Sequence, residues 1–447
     1  MAPYKYKNLE DSIQKILKGT VTLTDEEKKR YNKYLKEIFD VLENEMKKDP
    51  AFNALFRQKQ YVGSFYENMK IDMPDEFDIN FELCLPSYIG FVEVCSSEHP
   101  GFCQLRLLEN TSSVPDTRKA EAKKQVKKWT DAEGFFSRYK VNQWMQSVVD
   151  KALRAYEQNY NQKIYKFNRS TSGPAVTLTV TLIKHPELRL SLDFVPVFVF
   201  EYWPTVENLR EWTPEMKVEK WYAVPKSISN DKDFRLSFWH QEKYLLLGTD
   251  QMKSVLKLIK KLRDDQQWKG FSSYYIKTMF LWKTAANSRY YWRKGLGATF
   301  IEMLNDFKDY LLKQNALPFF WIEENDLLSQ LNPYEKQNIG GYLHHMLKDI
   351  ERNLDKPGHL ENYFKLRERV RPFEEDSDDE IIWNDSVEEV NWNPAIASRV
   401  INQDSSLLTR PQEDNFGTVA ALAVGAAALF AVGLFAHILG DSRRARE

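Results

Sequence analysis

The stretch that most constrains this 447-residue chain is 63–86, which reads GSFYENMKIDMPDEFDINFELCLP. Within it, polar residues at positions 76, 78, 80 and 82 alternate with apolar residues at 77, 79, 81 and 83. Because successive side chains of a β-strand point to opposite faces, this period predicts a strand with one apolar and one acidic face. Glu76 and Asp78 are therefore expected to lie side by side. An edge strand with a solvated acidic face is the alternative interpretation.

The acidic pair indicates a site that needs cations. Two neighbouring carboxylates repel each other, so burying them costs free energy unless a cation lies between them. A pair of Mg²⁺ ions, or Mn²⁺ in their place, suits these hard oxygen ligands and can also bridge phosphates. Gly63 and Ser64 would supply a tight turn whose N–H groups and hydroxyl hold phosphate oxygens. This arrangement predicts the active site of a nucleotidyltransferase.

A third carboxylate, Asp193, strengthens this prediction. It is the only acid in the apolar run 188–200, LRLSLDFVPVFVF, which follows another strand-like run at 176–184. A lone Asp in such a strand is rarely buried without a partner. Together with Glu76 and Asp78 it completes a predicted site of three carboxylates, which we assign as both metal ligands and catalytic residues.

The pattern around these residues resembles that of cyclic GMP–AMP synthase and the animal receptors similar to it. Besides 63–86, the resembling blocks are SGPAVTL (172–178), LSLDF (190–194), WYAVPK (221–226), FRLSFWHQEK (234–243), LKLIKKL (256–262), FSSYYIKTMFLW (271–282) and LPFFWIEENDLL (317–328). These blocks keep the family's order between residues 60 and 330. The resemblance implies an enzyme that makes a cyclic dinucleotide from ATP and GTP in innate immune sensing.

The resemblance also implies a fold, an α/β bilobed nucleotidyltransferase with a mixed-sheet lobe, a helical lobe and the nucleotides between them. We expect the catalytic lobe, including an N-terminal spine helix, at 1–205 and the helical lobe at 206–370. A disordered linker is expected at 371–416, because this segment begins with an acidic, serine-containing stretch at 371–390. A transmembrane tail anchor is expected at 417–439.

Five residues of the second half match nucleotide contacts of the family. Arg235 and Ser237 match positions that contact a base, and Lys260 and Ser273 match positions that contact the triphosphate. Tyr274 matches the residue that stacks on a base. The chemistry agrees, because a lysine neutralises phosphate and a tyrosine presents a flat apolar face. Ordinary core packing is the alternative for Tyr274.

Two lysine clusters predict contact with a polyanion. The first lies on a long helix predicted at 24–48, which begins with a Thr24–Glu27 capping box, and the second lies in a helix at 120–129. The clusters comprise Lys28, Lys29, Lys33 and Lys36, and Lys123, Lys124, Lys127 and Lys128. In the family the corresponding long helix helps to bind the activating nucleic acid. For both clusters a solvated helix face is the alternative.

The activator is expected to be double-stranded RNA rather than DNA. The interval between Glu242 and Leu256 holds neither Cys nor His, so the zinc-binding insertion with which the DNA-sensing member grips DNA is absent. Cys95, His99 and Cys103 are spaced as metal ligands can be, but a structural zinc site wants a fourth ligand that is not evident. No zinc is expected, and self-association on the nucleic acid is a further expectation.

Composition agrees with a cytosolic body that touches a polyanion. Residues 371–447 carry 6 Lys and Arg against 14 Asp and Glu. Residues 1–370 therefore carry 57 Lys and Arg against 50 Asp and Glu, so the body is mildly basic and the tail is acidic. Only three cysteines are present, which favours a reducing compartment over a disulfide framework.

The segment 417–439, GTVAALAVGAAALFAVGLFAHIL, contains no Asp, Glu, Lys or Arg. About twenty apolar residues suffice to cross a bilayer as a helix. The expectation is therefore a membrane protein that is anchored by its tail, with residues 1–416 in the cytosol. A helix that is buried against the body is the alternative.

Three other functions remain open at this point. A linear-product enzyme that resembles oligoadenylate synthase would use the same three carboxylates. A catalytically silent nucleic-acid-binding relative would be expected to lose those carboxylates or the Gly-Ser turn. A structural, membrane-tethered adaptor would leave the phosphate-binding residues unexplained.

Overall fold

The computed structural model describes residues 5–366, except 22, 72–75, 113–115, 160–163, 171–175, 185, 187–188, 212–219, 227–229 and 288. The linker expected at 371–416 and the anchor expected at 417–439 lie outside the described residues. Within the described part, every helix is too short or too polar to cross a membrane.

The described elements form a strand-rich first half and a helical second half. The strands are β1 (Phe56–Val62), β2 (Glu76–Leu83), β3 (Gly90–Ser96), β4 (Phe102–Glu109), β5 (Tyr165–Ser170), β6 (Val176–Leu182), β7 (Arg189–Phe200), β8 (Trp221–Val224) and β9 (Asp233–Ser237). The helices are α1 (Lys7–Ile16), α2 (Asp25–Met46), α3 (Pro50–Leu55), α4 (Thr117–Trp129), α5 (Arg138–Asn159), α6 (Trp239–Leu245), α7 (Asp250–Asp265), α8 (Ser273–Ala285), α9 (Leu296–Asp309) and α10 (Pro333–Arg352).

These nine strands join one mixed sheet. Its order is β1-β2-β7-β8-β9-β4-β3, and β6 pairs with β7 while β5 pairs with β6. The strands β2 and β7 run parallel, and the other pairs run antiparallel. The sheet continues beyond residue 206 through β8 and β9, and helices follow from Trp239.

Helix α2 covers the apolar face of the central strands. Thr24 and Glu27 form the predicted capping box. The ring of Phe39 lies 6.3 Å from that of Phe81 on β2 and 5.3 Å from that of Phe194 on β7. The predicted apolar stripe of α2 is buried, namely Tyr31, Leu35, Ile38, Leu42 and Met46. The opposite face of β2 is left for the polar residues that the alternation predicts.

Candidate active site

The sheet places two of the predicted carboxylates on adjacent strands at the same level. Asp78 lies directly opposite Asp193 because β2 and β7 are adjacent, parallel and in register at that point. Glu76 precedes Asp78 by two residues on the same face and is exposed. Burial, reinforced by repulsion from Glu76 and Asp193, raises the pKa of Asp78 to about 6. Asp78 therefore lies within the electrostatic influence of both other carboxylates.

The carboxylate of Asp193 is held by a neighbouring strand. Thr177 lies opposite Asp193 in the β6–β7 pair, and its Oγ1 donates a hydrogen bond of 2.6 Å to Asp193 Oδ1. This bond fixes the direction in which Asp193 presents its other oxygen. The sequence analysis missed Thr177, although the alternation of Thr with apolar residues at 176–182 marks this face.

The predicted Gly-Ser turn lies against the same carboxylates. Gly63 has a φ of +81°, in the left-handed region that favours glycine. A Cβ at position 63 would overlap the Asp78 carboxylate, so glycine also permits this close approach. The next residue, Ser64, accepts a hydrogen bond of 2.7 Å on its carbonyl from the Met69 N–H. The turn thus begins a short loop, 63–71, beside Asp78.

Cations face the carboxylates from other elements. Lys70 and Arg235 act to lower the pKa of Asp78, although burial and repulsion outweigh them. The positive charge of Arg235, together with burial, lowers the pKa of Lys226 to about 8. In the described part of the chain, Nε of Arg235 is buried without a hydrogen-bond partner. Lys226 was missed by the sequence analysis, although it ends the WYAVPK block.

Lys260, a predicted triphosphate contact, is buried beneath the loop 63–71. Its Nζ donates a hydrogen bond of 2.8 Å to the Met69 carbonyl. Burial and the positive charges of Arg263 and Lys70 lower the pKa of Lys260 to about 8. Ser273, the other predicted triphosphate contact, is the first residue of α8 and is half-buried.

The predicted base contacts lie on β9 and α8. Ser237 ends β9 and is half-buried, as is Arg235 on the same strand. The Tyr274 hydroxyl donates a hydrogen bond of 2.7 Å to Glu242 Oε1, and burial together with Glu242 raises the pKa of Tyr274. Arg235 acts electrostatically on both Asp78 and Tyr274, so it lies near both groups.

The site residues fit a divalent cation in their chemistry. Among the residues that the structure describes, no three His, Cys, Asp or Glu side chains are already arranged to hold a metal ion. However, Asp78 and Asp193 offer hard oxygen ligands. The raised pKa of Asp78 reflects burial first and then the negative charge of its neighbours, which a divalent cation would neutralise. Of the discounted zinc-like trio, Cys103 is buried and His99 lies 2.8 Å from Asp233.

Each lysine cluster contains side chains that already contact other groups of the protein. Lys28 forms an ion pair of 3.2 Å with Asp25, and the rest of the first cluster, Lys29, Lys33 and Lys36, is exposed. On α4, Lys123 donates to the backbone carbonyls of Asn110 and Ser112. Lys124, Lys127 and Lys128 are all exposed, but Lys127 lies 3.1 Å from Glu109, whereas Lys124 and Lys128 form no ion pair with the described residues. Lys124 and Lys128 are therefore the part of the second cluster best placed to meet a polyanion.

Comparison with known proteins decides the family. Residues 65–248 match the model of the Mab-21 protein nucleotidyltransferase domain, and residues 251–345 match that of the Mab-21 protein HhH/H2TH-like domain. The chain is 30% identical over 384 residues to a cyclic GMP-AMP synthase-like receptor of Aethina tumida. The aligned residues cover 82% of this chain and 94% of the relative. The chain belongs to the cyclic GMP-AMP synthase-like receptor family.

Two other similar proteins carry the same family name. The cyclic GMP-AMP synthase-like receptor of Tribolium castaneum is 30% identical over 363 residues, which cover 77% of this chain and 89% of the relative. Receptor 1 of Drosophila simulans is 26% identical over 349 residues, with 74% and 86% covered. These matches confirm the predicted resemblance and the nucleotidyltransferase-type fold. In this member of the family, the three carboxylates lie in the matched nucleotidyltransferase domain, and Lys260, Ser273 and Tyr274 lie in the second matched domain.

Proposed function

We propose that this receptor homologue joins ATP and GTP into a cyclic dinucleotide resembling cyclic GMP–AMP, and does so when double-stranded RNA binds to it. The observation that carries the proposal is the Asp78–Asp193 pair in adjacent parallel strands, with the pKa of Asp78 raised by burial and mutual repulsion. Such a pair is unfavourable by itself and becomes favourable when cations and phosphates enter the site. The product would act as a second messenger in innate immune sensing.

Two divalent ions, Mg²⁺ or Mn²⁺, would be held by Glu76, Asp78 and Asp193. Ions of this kind lower the pKa of an attacking hydroxyl and neutralise charge on a leaving pyrophosphate. Asp193, whose carboxylate is held by Thr177, would orient the acceptor ribose hydroxyl and accept its proton. Repetition of the transfer on the linear intermediate would close the ring.

The nucleotide would be positioned by the two matched domains together. Gly63 and Ser64 would bind phosphate oxygens through the turn beside Asp78. Lys260 and Ser273 would contact the triphosphate, and Arg235 and Ser237 would contact a base. The ring of Tyr274 would stack on a base while its hydroxyl stays bonded to Glu242.

The proposal is tested by incubating the purified full-length chain with all four NTPs, Mg²⁺ or Mn²⁺, and matched RNA or DNA duplexes at physiological salt. Mass analysis should find a cyclic dinucleotide made from ATP and GTP, with more product when RNA is present. A linear product would identify an oligoadenylate-type synthase instead. Absence of product under every condition would indicate a silent binding relative, and stronger stimulation by DNA would overturn the choice of activator.

Charge reversal on α4 tests the proposed RNA contact. The double variant K124E/K128E should lose stimulation by RNA and keep basal activity with Mn²⁺, because the carboxylates are untouched. The matched control is K127E, since Lys127 is already paired with Glu109 and should contribute less to RNA binding. Binding should also weaken steeply with salt as counterions are released. Normal stimulation of the double variant would show that these lysines only solvate the helix.

We further propose that 417–439 anchors the protein in a membrane with the catalytic body in the cytosol. The support is the length and apolar composition of that segment. A reporter fused to residues 412–447 should sediment with membranes and resist carbonate extraction. A fully soluble reporter would refute the anchor.

A further inference from the structure

A buried ion-pair network connects the loop 63–71 to α8. Lys277 on α8 places its Nζ 2.9 Å from Oε1 and 2.8 Å from Oε2 of Glu67, and 2.9 Å from Oε2 of Glu242. Glu67 is 8% exposed and Glu242 is 4% exposed. Burial by itself would lower the pKa of Lys277, but the two carboxylates raise it above its usual range. This lysine therefore stays charged between two acids from different parts of the chain.

One end of the network reaches the predicted base-stacking residue. Glu242 Oε1 accepts a hydrogen bond of 2.7 Å from the Tyr274 hydroxyl and one of 3.1 Å from Trp321 Nε1. Its other oxygen is the one that contacts Lys277. The same carboxylate thus fixes both Lys277 and the ring of Tyr274, which precedes Lys277 by about one helical turn.

The other end reaches the predicted phosphate-binding turn. The Glu67 N–H donates a hydrogen bond of 3.3 Å to the Gly63 carbonyl, and the Met69 N–H donates one of 2.7 Å to the Ser64 carbonyl. Glu67 is therefore tied to the turn through the backbone and to α8 through its side chain. Glu67 lies in the first matched domain and Lys277, 210 residues further on, lies in the second, so this contact joins the two matched domains.

We infer that Glu67 and Lys277 are positioning residues, which hold the Gly63–Ser64 turn at a fixed distance from Tyr274 so that one nucleotide can contact both. The inference rests on the proposed function for the roles of the turn and of Tyr274. Removing one partner of a buried ion pair leaves the other charge uncompensated, so the surrounding structure has to rearrange. Here the part that rearranges is the loop 63–71. A shift of about 1 Å in a group that orients substrate can cost about 100-fold in rate.

The test compares K277M with K261M in the full-length chain. Lys261 is a matched control because it also forms a buried ion pair, 2.7 Å from Asp265, but both partners of that pair lie on the same helix, α7. Two measurements are made on each variant. The first is hydrogen exchange of the amides at 63–71, which needs no activity. The second is the pair of kcat and KM values for ATP and GTP with an RNA duplex.

K277M should speed amide exchange in the loop 63–71 and lower kcat/KM by about 100-fold, mainly through KM, whereas K261M should change neither by more than about threefold. E67Q keeps the side-chain shape and one acceptor oxygen, so it should move both measurements in the same direction by less. This variant decides the question if K277M does not fold. Equal behaviour of K277M and K261M, or normal loop exchange and KM in E67Q, would overturn the inference. If the wild type makes no product, the proposed function fails, and the exchange measurement still decides whether Lys277 holds the loop.

Discussion

Two pairs of carboxylates in this protein, one buried and one half-buried, are stabilised in opposite ways. Glu67 and Glu242 share the ammonium group of Lys277, and their charge raises the pKa of that lysine. Asp78 faces Asp193 instead, and its own pKa is raised because the nearby cations do not offset burial and repulsion. The first pair carries its counterion within the chain and acts as scaffold. The second pair is in the arrangement expected of a site whose counterions arrive with the substrate.

The largest effect should come from removing the carboxylates that lack an internal counterion. The double variant E76A/D78A should lose more than about 1000-fold in product formation, because each electrostatic group of an active site is worth about 10² to 10³ in rate. Its melting temperature should stay the same or rise, since two repelling charges are gone. Mass analysis of products and a thermal melt check the two halves of this prediction.

The melting temperature of K277M should change in the opposite direction to that of E76A/D78A. Because it leaves Glu67 and Glu242 buried without their shared cation, its melting temperature should fall. If E76A/D78A unfolded more readily than K277M, the two pairs of carboxylates would not differ in the way proposed. Measurable product from E76A/D78A would refute the metal assignment itself.

An intermediate effect is expected at Tyr274, whose hydroxyl is bonded to Glu242 and whose ring is proposed to contact the nucleotide. Y274A should weaken nucleotide binding by about 10-fold or more, because stacking of a base on an aromatic ring is worth about 1–3 kcal/mol. Y274F keeps the ring and loses only the hydrogen bond to the Glu242 carboxylate, which contributes about 1.5–3 kcal/mol to stability. Titration with an ATP analogue measures the binding of each variant, and equal losses would indicate that the hydroxyl, not the ring, makes the contact.

The smallest effect concerns the pH dependence of stability without metal. The pKa of Asp78 is raised to about 6 in the folded protein, above its usual value of about 3.9. Protonated Asp78 therefore favours folding, and this contribution is lost as pH rises through about 6. In EDTA, the free energy of unfolding of the wild type should fall between about pH 4 and 7 relative to that of D78N.

Addition of Mg²⁺ at pH 7 should restore the lost stability in the wild type and have little effect on D78N. Denaturant titrations at each pH measure both differences. Identical pH profiles for the two proteins would mean that the charge of Asp78 is already compensated within the chain. Asp78 would then resemble Glu67 in having its counterion within the chain.

Local patterns were enough to predict several parts of the site. The alternation at 76–83 predicts which side chains share the acidic face, and the structure has Phe77 and Phe81 buried beneath α2. Thr24 and Glu27 predict the start of α2, because a capping box depends on residues three apart. Gly63 was predictable as a turn residue, although its contact with Asp78 was not.

The residues that the sequence analysis missed depend on long-range pairing. Thr177 supports Asp193 only because β6 and β7 pair in that register. Lys226 faces the carboxylates because β8 and β9 continue the sheet. The alternation at 176–182 marks the face on which Thr177 lies but does not identify its partner, and no such pattern surrounds Lys226. On α4 the lysine spacing was visible, but the engagement of Lys123 and Lys127 by Asn110 and Glu109 was not.

By itself, the sequence determined which residues can form strands, helices, caps and an acidic face, because these depend on side chains a few positions apart. Only the tertiary structure decided which buried charges have partners. Glu67 and Asp78 are both acids of the same short stretch, yet Glu67 meets Lys277 and Asp78 meets Asp193. The partner of a buried charge is set by which distant segment packs against it, and in low dielectric surroundings that partner decides whether the charge stabilises the fold or awaits a ligand.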